Sequence, residues 1–413
     1  MEFSLQTLLI LLISFISLFF SFFWLSTLYF EEPFMHKGNK KLKRFPMVSI
    51  IVPAYNEEDS IADTLKSLFT LDYPKDKLEI IVVANNCKDK TVEIVRQFKQ
   101  VRLIETPISG KARAQNLGIK HAKGEIVVVA DADLVVTKDS LLRLLPYFED
   151  PQIAEVVPAV KVYKPQNFLQ NVQRYEYITS AFIKQLLAGW GAMFLAPGAF
   201  NAYRKSIIQK IGGFDEHTLT EDLEMATRLL RIGYKVTSNI DAHVSVRAPM
   251  TLAAFHTQRI RWNRGFIEVV SKHREILFNL KYGLFGILLP LSILVPVLLT
   301  TVMAVGLVQL VSFICDFAFL ISFADVKLML ANLLPKGLLY INTMLVVPTI
   351  VVLVAGIYIY TKANKHLKER WTNPLAAFTF IVLYPMWLTF YWLLAFVLHL
   401  TKAKKTWRGS VRW

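Results

Sequence analysis

The chain has 413 residues, of which 54% are hydrophobic, and a formal net charge of +15 at neutral pH. An uncharged run from Phe3 to Phe30 is longer than the ~20 residues that a helix needs to cross a bilayer. It is also far longer than the ~7–15 apolar residues of a cleaved signal peptide, and no basic residues precede it. These features exclude an ordinary soluble domain and predict an integral membrane protein with an N-terminal span over residues 1–33.

The basic residues cluster beside the apolar runs, as in segment 36–44, which carries five cations. Anionic headgroups attract such segments, so we interpret the charge as binding membrane lipid and expect no nucleic-acid partner. The positive-inside rule then places the following polar domain in the cytoplasm of a multi-pass plasma-membrane protein. Two cysteines, Cys87 and Cys315, form no disulfide framework, which is typical of a reducing compartment.

The polar segment 46–264 alternates short apolar runs with amphipathic stretches, which predicts parallel strands joined by crossover helices. The fold class is therefore α/β, an open and mostly parallel sheet with flanking helices. Strands are predicted at 48–52, where Pro53 ends the run, and at 79–84, 101–104 and 124–130, with helices at 60–71, 89–99 and 111–120. Ligands bind such sheets at the carboxyl ends of the strands.

After the polar segment, residues 265–281 predict an amphipathic helix lying in the membrane interface, with an ordinary surface helix as the alternative. A C-terminal transmembrane region at 282–401 and a basic tail at 402–413 follow. The runs 282–315, 337–361 and 373–398 are long enough to span, whereas 317–335 contains Asp325 and Lys327 and leaves a fourth span open. Four spans would place the tail inside, and its five cations favour that slightly over the four in loop 362–370.

Two aspartates, Asp131 and Asp133, directly follow a predicted apolar strand. Both carboxylates can face a common point in the crevice, where hard oxygen ligands suit Mg²⁺ or Mn²⁺ and leave positions open for a diphosphate. A metal there would stabilise the charge that develops as a nucleotide departs. The alternative is a solvated turn that carries two acids.

Six motifs occur in a fixed order along this segment. They are residues 52–58 (VPAYNEE), 110–116 (GKARAQN), 131–133 (DAD), 212–215 (GGFD), 220–222 (TED) and 258–262 (QRIRW). The series resembles that of processive family-2 glycosyltransferases, a group that includes cellulose, chitin, hyaluronan and poly-N-acetylglucosamine synthases. The resemblance covers about residues 46–265, and in that group the Gln-x-x-Arg-Trp signature separates polymer synthases from most single-transfer enzymes. It implies a GT-A type sheet inserted between transmembrane helices.

The resemblance also implies roles for individual residues, and the chemistry of the side chains agrees with them. Asp222 would be the general base that deprotonates the acceptor hydroxyl, with Glu221 beside it, and Trp262 would be the platform for the acceptor sugar. Asp133 would be the principal metal ligand. The nucleotide sugar would be held by Tyr55, Glu57, Asn85, Lys111, Asp131, Gln258, Arg259 and Arg261.

Three of these roles keep alternatives. Asn85 stands where the resembling enzymes usually have an aspartate; an amide can still hydrogen-bond a base, but the missing carboxylate weakens the expectation of uridine. Trp262 could instead be an interfacial belt residue, and Arg261 a structural salt-bridge partner.

The sequence therefore predicts a membrane-embedded, inverting, metal-dependent glycosyltransferase that polymerises a β-linked polysaccharide from a nucleotide sugar, with UDP as the expected nucleotide, and translocates the product. The growing polysaccharide is its acceptor, and accessory membrane or export proteins are left open. The alternative is a single-sugar transferase acting on a polyprenyl phosphate or another lipid. A transporter or receptor with a degenerate domain would be expected to have lost a catalytic carboxylate, and all are present.

Overall fold

The computed structural model describes residues 5–31, 41–294, 315 and 343–403. Several predicted segments fall wholly or partly outside these residues. They are 317–335, the end of the run 282–315, the start of the run 337–361, most of the basic segment 36–44, and the tail beyond Ala403.

Within the described residues, eight strands form one sheet in the order β3-β2-β1-β4-β7-β6-β8-β5. The strands are β1 (Val48–Ala54), β2 (Leu78–Asn85), β3 (Val101–Thr106), β4 (Ile126–Ala130), β5 (Leu134–Val136), β6 (Ile153–Val162), β7 (Phe200–Arg204) and β8 (Lys235–Val246). The pairs β1–β2, β1–β4, β2–β3 and β6–β8 are parallel, whereas β7 pairs antiparallel with β4 and β6, and β5 pairs antiparallel with β8. The predicted mostly parallel α/β sheet is confirmed.

Helices cover both faces of the sheet, which explains why its central strands are continuous apolar runs. All seven residues of β1 are buried, with Ile50 and Val52 in one apolar cluster and Ile51 in the other. The strand continues through Pro53, where the sequence predicts its end. Its pairing with β4 stops at Ile51, two residues earlier, so Pro53 can extend the strand beyond that ladder despite its missing N–H.

The three helices predicted at 60–71, 89–99 and 111–120 are observed with shifted ends, and the polar segment contains five more helices, the last of which continues beyond it. They are α2 (Ile61–Phe69), α3 (Thr91–Arg96), α4 (Lys111–His121), α5 (Ser140–Leu144), α6 (Phe168–Gly189), α7 (Lys205–Lys210), α8 (Glu221–Arg231) and α9 (Leu252–Lys272), with α1 (Leu5–Glu31) preceding the sheet. Helix α3 begins two residues later than predicted, because the Asp89 carboxylate accepts a hydrogen bond from the Thr91 amide at 3.0 Å and forms a turn there.

The predicted interface helix at 265–281 is not a separate element. Helix α9 begins at Leu252, where Thr251 Oγ1 accepts a hydrogen bond from the Ala254 amide at 3.2 Å, and it runs without a break to Lys272. Two short 3₁₀ turns follow, and Phe278 between them has a φ of 54°, which no helix can accommodate. The Gln-x-x-Arg-Trp motif therefore lies on the same helix as the first part of the predicted segment.

The C-terminal helices Thr343–His366 and Pro374–Leu400 pack against the α/β domain and its neighbours, the first along α1 and α6 and the second along α9. Both ends of the second helix are hydrogen-bonded to the domain. Tyr175 Oη donates to the Asn373 carbonyl at 3.4 Å, and Arg264 Nη2 donates to the Ala403 carbonyl at 2.6 Å.

In the described part of the chain, one helix, Pro374–Leu400, is long and apolar enough to cross a membrane, judged by length and composition. Ser14–Phe30 and Leu280–Leu294 are shorter apolar helical segments. The prediction of an N-terminal span followed by three or four C-terminal spans therefore continues to rest on the sequence.

Candidate active site

A cavity of about 470 Å³ opens at the carboxyl edge of the sheet. The neighbouring strands β2, β1 and β4 end there, which brings Asn85, Tyr55 and Asp131 to one rim although they are far apart in sequence. Each of the twelve residues that the sequence singles out lines this cavity: Tyr55, Glu57, Asn85, Lys111, Asp131, Asp133, Glu221, Asp222, Gln258, Arg259, Arg261 and Trp262.

One side of the cavity, which we call the carboxylate half, consists of Lys111, Asp131, Asp133, Glu221 and Asp222. Lys111 Nζ lies 2.7 Å from Asp131 Oδ1 and 3.1 Å from Glu221 Oε1, so it bridges the end of β4 and the start of α8. Burial lowers the pKa of Lys111, but the carboxylates of Asp131 and Glu221 outweigh burial and hold that pKa above its usual value. This cation stays charged at neutral pH and offsets the charge of the acids around it.

Glu221 and Asp222 occupy the first turn of α8, where the partial positive charge of the helix N-terminus favours anions. Burial acts to raise the pKa of Glu221, but Lys111 and Arg261 outweigh it and leave the pKa below its usual value. For Asp222, burial and the adjacent charge of Glu221 raise the pKa to about 6. The two neighbours therefore differ in basicity, and Asp222 is the one suited to take up a proton near neutral pH.

Two glycines allow the backbone to approach this carboxylate pair. The amide of Gly198 donates to Asp222 Oδ2 at 2.7 Å, and a Cβ at that position would lie only 3.1 Å from the same carboxylate. A Cβ at Gly265 would lie 2.4 Å from the side chain of Thr220, immediately before α8. Helix α9 can therefore pack directly against the start of α8, which joins the two motifs in one site.

The arrangement of Asp131 and Asp133 fits a divalent cation that shares its ligands with a diphosphate. Both carboxylates are half-buried and line the cavity, while Lys111 already occupies one oxygen of Asp131. Within the described residues, no group of three or more His, Cys, Asp or Glu side chains could hold a metal by itself. Mg²⁺ is commonly bound by one or two carboxylates together with substrate phosphates, and this donor set corresponds to that case.

The opposite side of the cavity, which we call the aromatic half, consists of Glu176, Arg259 and Trp262, supported by Phe255 and Tyr384. Arg259 makes two hydrogen bonds to Glu176, from Nη1 to Oε1 at 2.5 Å and from Nη2 to Oε2 at 2.7 Å. Its guanidinium carbon lies 4.6 Å from the ring centroids of both Phe255 and Trp262. Tyr384 Oη donates a third hydrogen bond to Glu176, at 2.6 Å.

The two arginines of the motif have different environments. Arg259 is 3% exposed, and its guanidinium pairs with the carboxylate of Glu176. Arg261 is half-buried, and its Nη1 donates a long hydrogen bond to the Leu219 carbonyl at 3.4 Å. Arg261 also contributes to the low pKa of Glu221, which places its charge beside the carboxylate half.

Three amides that line the cavity have a buried polar atom with no hydrogen-bond partner in the described chain. These atoms are Asn85 Oδ1, Gln258 Oε1 and Asn263 Nδ2. Buried polar atoms in native proteins are nearly always paired, so a bound water or a polar ligand beside these residues could supply the missing partners. Asn85 lies at the end of β2, at the position where the sequence predicts contact with a base.

The sequence did not predict the charged residues that α6 contributes to the cavity, Glu176 and Lys184. With Ser180 they follow one another at four-residue spacing, which places all three on one face of the helix. A polar stripe at this spacing within a largely buried helix is the signal that could have identified them. Burial lowers the pKa of Lys184 to about 8, against the opposing influence of Glu176 and Asp222.

The sheet topology, the cavity at its carboxyl edge and the paired acids at the ends of β4 and α8 define a GT-A type α/β fold. Over 96% of its length the chain superposes, with a TM-score of 0.55 and 20% identity, on the complete chain of a mannosyltransferase from Pyrobaculum calidifontis, solved with GDP-Man and Mn²⁺. At this identity the likeness concerns the fold alone.

Residues 49–212 match the model of the family described as Glycosyl transferase family 2. The chain is 34% identical over 258 residues to "Probable glycosyltransferase YdaM" of Bacillus subtilis (strain 168), covering 59% of this chain and 61% of the relative. It is 29% identical over 271 residues to a poly-β-1,6-N-acetyl-D-glucosamine synthase of Staphylococcus epidermidis. That match covers 62% of this chain and 65% of the relative. The matches thus span less than two thirds of these curated relatives.

Proposed function

We propose that the chain is a membrane-embedded, inverting glycosyltransferase that extends a β-linked polysaccharide from a nucleotide sugar. The observation that carries this proposal is the position of Asp222, a carboxylate with a pKa of about 6 that lines the same cavity as Trp262. A base on one side and a flat aromatic ring on the other are the two elements that transfer to a sugar hydroxyl needs. The similarity to a poly-β-1,6-N-acetyl-D-glucosamine synthase supports a polymeric product.

In the proposed reaction, the acceptor hydroxyl oxygen attacks the anomeric carbon of the donor, and the bond from that carbon to the diphosphate oxygen breaks. Asp222 takes the hydroxyl proton, and the electron pair leaves with the nucleoside diphosphate. The amides of Gly198 and Leu223 donate to the two oxygens of Asp222, at 2.7 and 2.8 Å, and hold the carboxylate in place. Attack from the side opposite the leaving group inverts the anomeric configuration.

On the donor side, the unpaired amides of Asn85 and Gln258 would bind the nucleotide, with Tyr55 and Glu57 on the same rim. Lys111 and Arg261 supply positive charge to the diphosphate. UDP-N-acetylglucosamine is the first donor to test, because one relative is named for a polymer of that sugar.

Asp131 and Asp133 would hold Mg²⁺ or Mn²⁺ together with the diphosphate. When bound, the metal supplies positive charge that stabilises the leaving group. Mn²⁺ deserves testing beside Mg²⁺, since the mannosyltransferase of the same fold was solved with it. Lys111 lies against Asp131 and can neutralise part of the same charge from the protein side.

The proposal also retains a multi-pass membrane protein with its catalytic domain in the cytoplasm. It is supported by the apolar segment Ser14–Phe30 and by the long uncharged runs of the sequence. Labelling of single cysteines, introduced in loop 367–373 and in the N-terminal basic segment, from either side of sealed vesicles would test this arrangement.

A transferase that adds one sugar to a lipid acceptor is the second candidate. This candidate is favoured by the apolar wall of the cavity. Phe266 and Trp392 line that wall and contact each other, and Trp392 belongs to the helix Pro374–Leu400. A lipid chain could follow that surface from the bilayer to the base.

The two candidates differ in their products. Purified full-length protein in lipid nanodiscs would be given UDP-N-acetylglucosamine, UDP-glucose and GDP-mannose, each radiolabelled and each with Mg²⁺ or Mn²⁺. A long, water-soluble or insoluble glycan supports the synthase. A monoglycosylated product that extracts into organic solvent would replace it with the lipid-acceptor enzyme, and an absence of transfer from all donors would contradict both.

A further inference from the structure

We infer that Glu176 is a positioning residue, which holds the ring of Trp262 in place through the guanidinium of Arg259. The description of Trp262 as an acceptor platform rests on the proposed function. The mechanical link from Glu176 to Trp262 rests on contacts alone and can be tested without a substrate.

The carboxylate of Glu176 fixes the guanidinium of Arg259 in one plane. Its two oxygens accept separate hydrogen bonds from Nη1 and Nη2 of Arg259, and this two-point geometry leaves the guanidinium little freedom to rotate. Glu176 Oε2 accepts a further hydrogen bond from Tyr384 Oη. The carboxylate is itself held on both sides and can act as a rigid anchor.

The fixed guanidinium lies between two aromatic rings. Its central carbon is 4.6 Å from the centroid of Phe255 and 4.6 Å from that of Trp262. Phe255 is fully buried and has no room to move away. The guanidinium therefore fixes the position of Trp262, which is the one of these two rings that borders the cavity. The stack thus joins a buried ion pair to the place where an acceptor sugar would lie.

Burial makes this link depend on Glu176 in particular. Burial lowers the pKa of Arg259, but the charge of Glu176 outweighs it and holds the pKa above its usual value. A buried cation that loses its carboxylate partner seeks water or another anion, and Arg259 would then leave the ring that it supports. The pair therefore does more than stabilise the fold, because its loss displaces a residue of the cavity wall.

The first test needs no substrate. Oxidation of the eight tryptophans by N-bromosuccinimide, followed residue by residue by peptide mass spectrometry, compares the full-length wild type with Glu176→Gln. We expect Trp262 to react about fivefold faster in the variant, the order of change for loss of one cation–π contact. Trp190, which is 39% exposed and does not line the cavity, should react at the wild-type rate.

Two more variants separate positioning from folding. The double variant with Glu176→Gln and Arg259→Gln leaves no unpaired buried charge, yet it also loses the stack and should release Trp262. Glu369→Gln is the control. Glu369 pairs with Arg174, which lies on α6 like Glu176, but Glu369 does not border the cavity, so the oxidation rate of Trp262 should stay at the wild-type value. If the oxidation rate of Trp262 is unchanged in both Glu176 variants, the inference is overturned.

The second test uses transfer kinetics with UDP-N-acetylglucosamine and an N-acetylglucosamine oligosaccharide. In Glu176→Gln we expect the acceptor KM to rise about tenfold while donor hydrolysis changes less than about twofold, since the donor is held elsewhere. Glu176→Asp, which keeps the charge, should recover part of the loss. Faster oxidation of Trp262 without any change in acceptor KM would keep the link and remove the acceptor role, so the two ideas fail separately.

Discussion

The two halves of the cavity are built in different ways. The carboxylate half consists of charged side chains at strand ends and a helix N-terminus, joined by ion pairs such as Lys111 to Asp131. The aromatic half is built from helices α6, α9 and Pro374–Leu400, which meet around the buried pair of Arg259 and Glu176. The first half adjusts charge and pKa, whereas the second fixes the position of a ring. Substitutions in the two halves should therefore damage different steps.

The largest effect is expected in the carboxylate half. Asp222→Asn removes the general base but keeps the shape, so turnover should fall ~10²–10⁴-fold. Binding of UDP, measured by calorimetry, should stay close to that of the wild type. Asp150→Asn is a matched control, because Asp150 pairs with Lys235 outside the cavity. Near-normal turnover in Asp222→Asn would reassign this residue to a structural role.

In the aromatic half, Trp262→Ala should reduce elongation by about 10²-fold, because an acceptor that is not oriented loses most of its rate. The slow hydrolysis of the donor should stay within about threefold of the wild type, since none of the proposed donor contacts belongs to the aromatic half. Chain length by size-exclusion chromatography and nucleotide release measure the two rates. Trp190→Ala is the control, and equal losses in both assays would erase the distinction between the halves.

Asp133→Ala should weaken Mn²⁺-dependent UDP binding at least about tenfold while leaving metal-independent binding unchanged. Titration of Mg²⁺ and Mn²⁺ against the purified variant provides the measurement. Asp139→Ala serves as the control, because this aspartate pairs with Arg143 outside the cavity. An unchanged metal dependence would show that the cation is held by other groups.

The smallest effect concerns Lys184, whose charge interacts with both Glu176 and Asp222. Since the pKa of Asp222 is raised to about 6, activity should fall as the pH drops through about 6 and the base becomes protonated. Lys184→Met removes a nearby positive charge that favours the carboxylate, so the acid limb should move to higher pH by about half a unit. Lys161→Met, which removes contacts with Glu369 and Leu367 outside the cavity, should not move it.

Much of the carboxylate half could be predicted from the sequence, because local rules determine it. Asp131 follows an apolar run, and parallel strands deliver their ends to one edge of a sheet. The confirmed α/β sheet then brings Asn85, Tyr55 and Asp131 to the same rim. Their chemical roles, like those of the other site residues, stay predictions until the variants are measured.

The aromatic half could not be predicted in the same way. Arg259 lies 83 positions after Glu176, and Tyr384 lies 208 positions after it. No periodic pattern in the sequence links residues on three separate helices. The motif alone could not tell Arg259 from Arg261, because their difference depends on which of them meets a buried carboxylate. The boundary of α9 was missed for a related reason, since the polar motif and the amphipathic segment after it have different compositions but share one helix.

The helix Pro374–Leu400 is hydrogen-bonded to the α/β domain at both ends, through Asn373 and Ala403. A helix of 27 residues is about 40 Å long. Because both of its ends contact the domain, this helix lies along the domain surface and does not project from it. Its outward residues Phe390, Phe396 and Leu400 are exposed and apolar, while Tyr384 on the same helix holds Glu176. In a lipid environment, the thickness and fluidity of the surrounding acyl chains would therefore bear on a hydrogen bond that borders the active-site cavity.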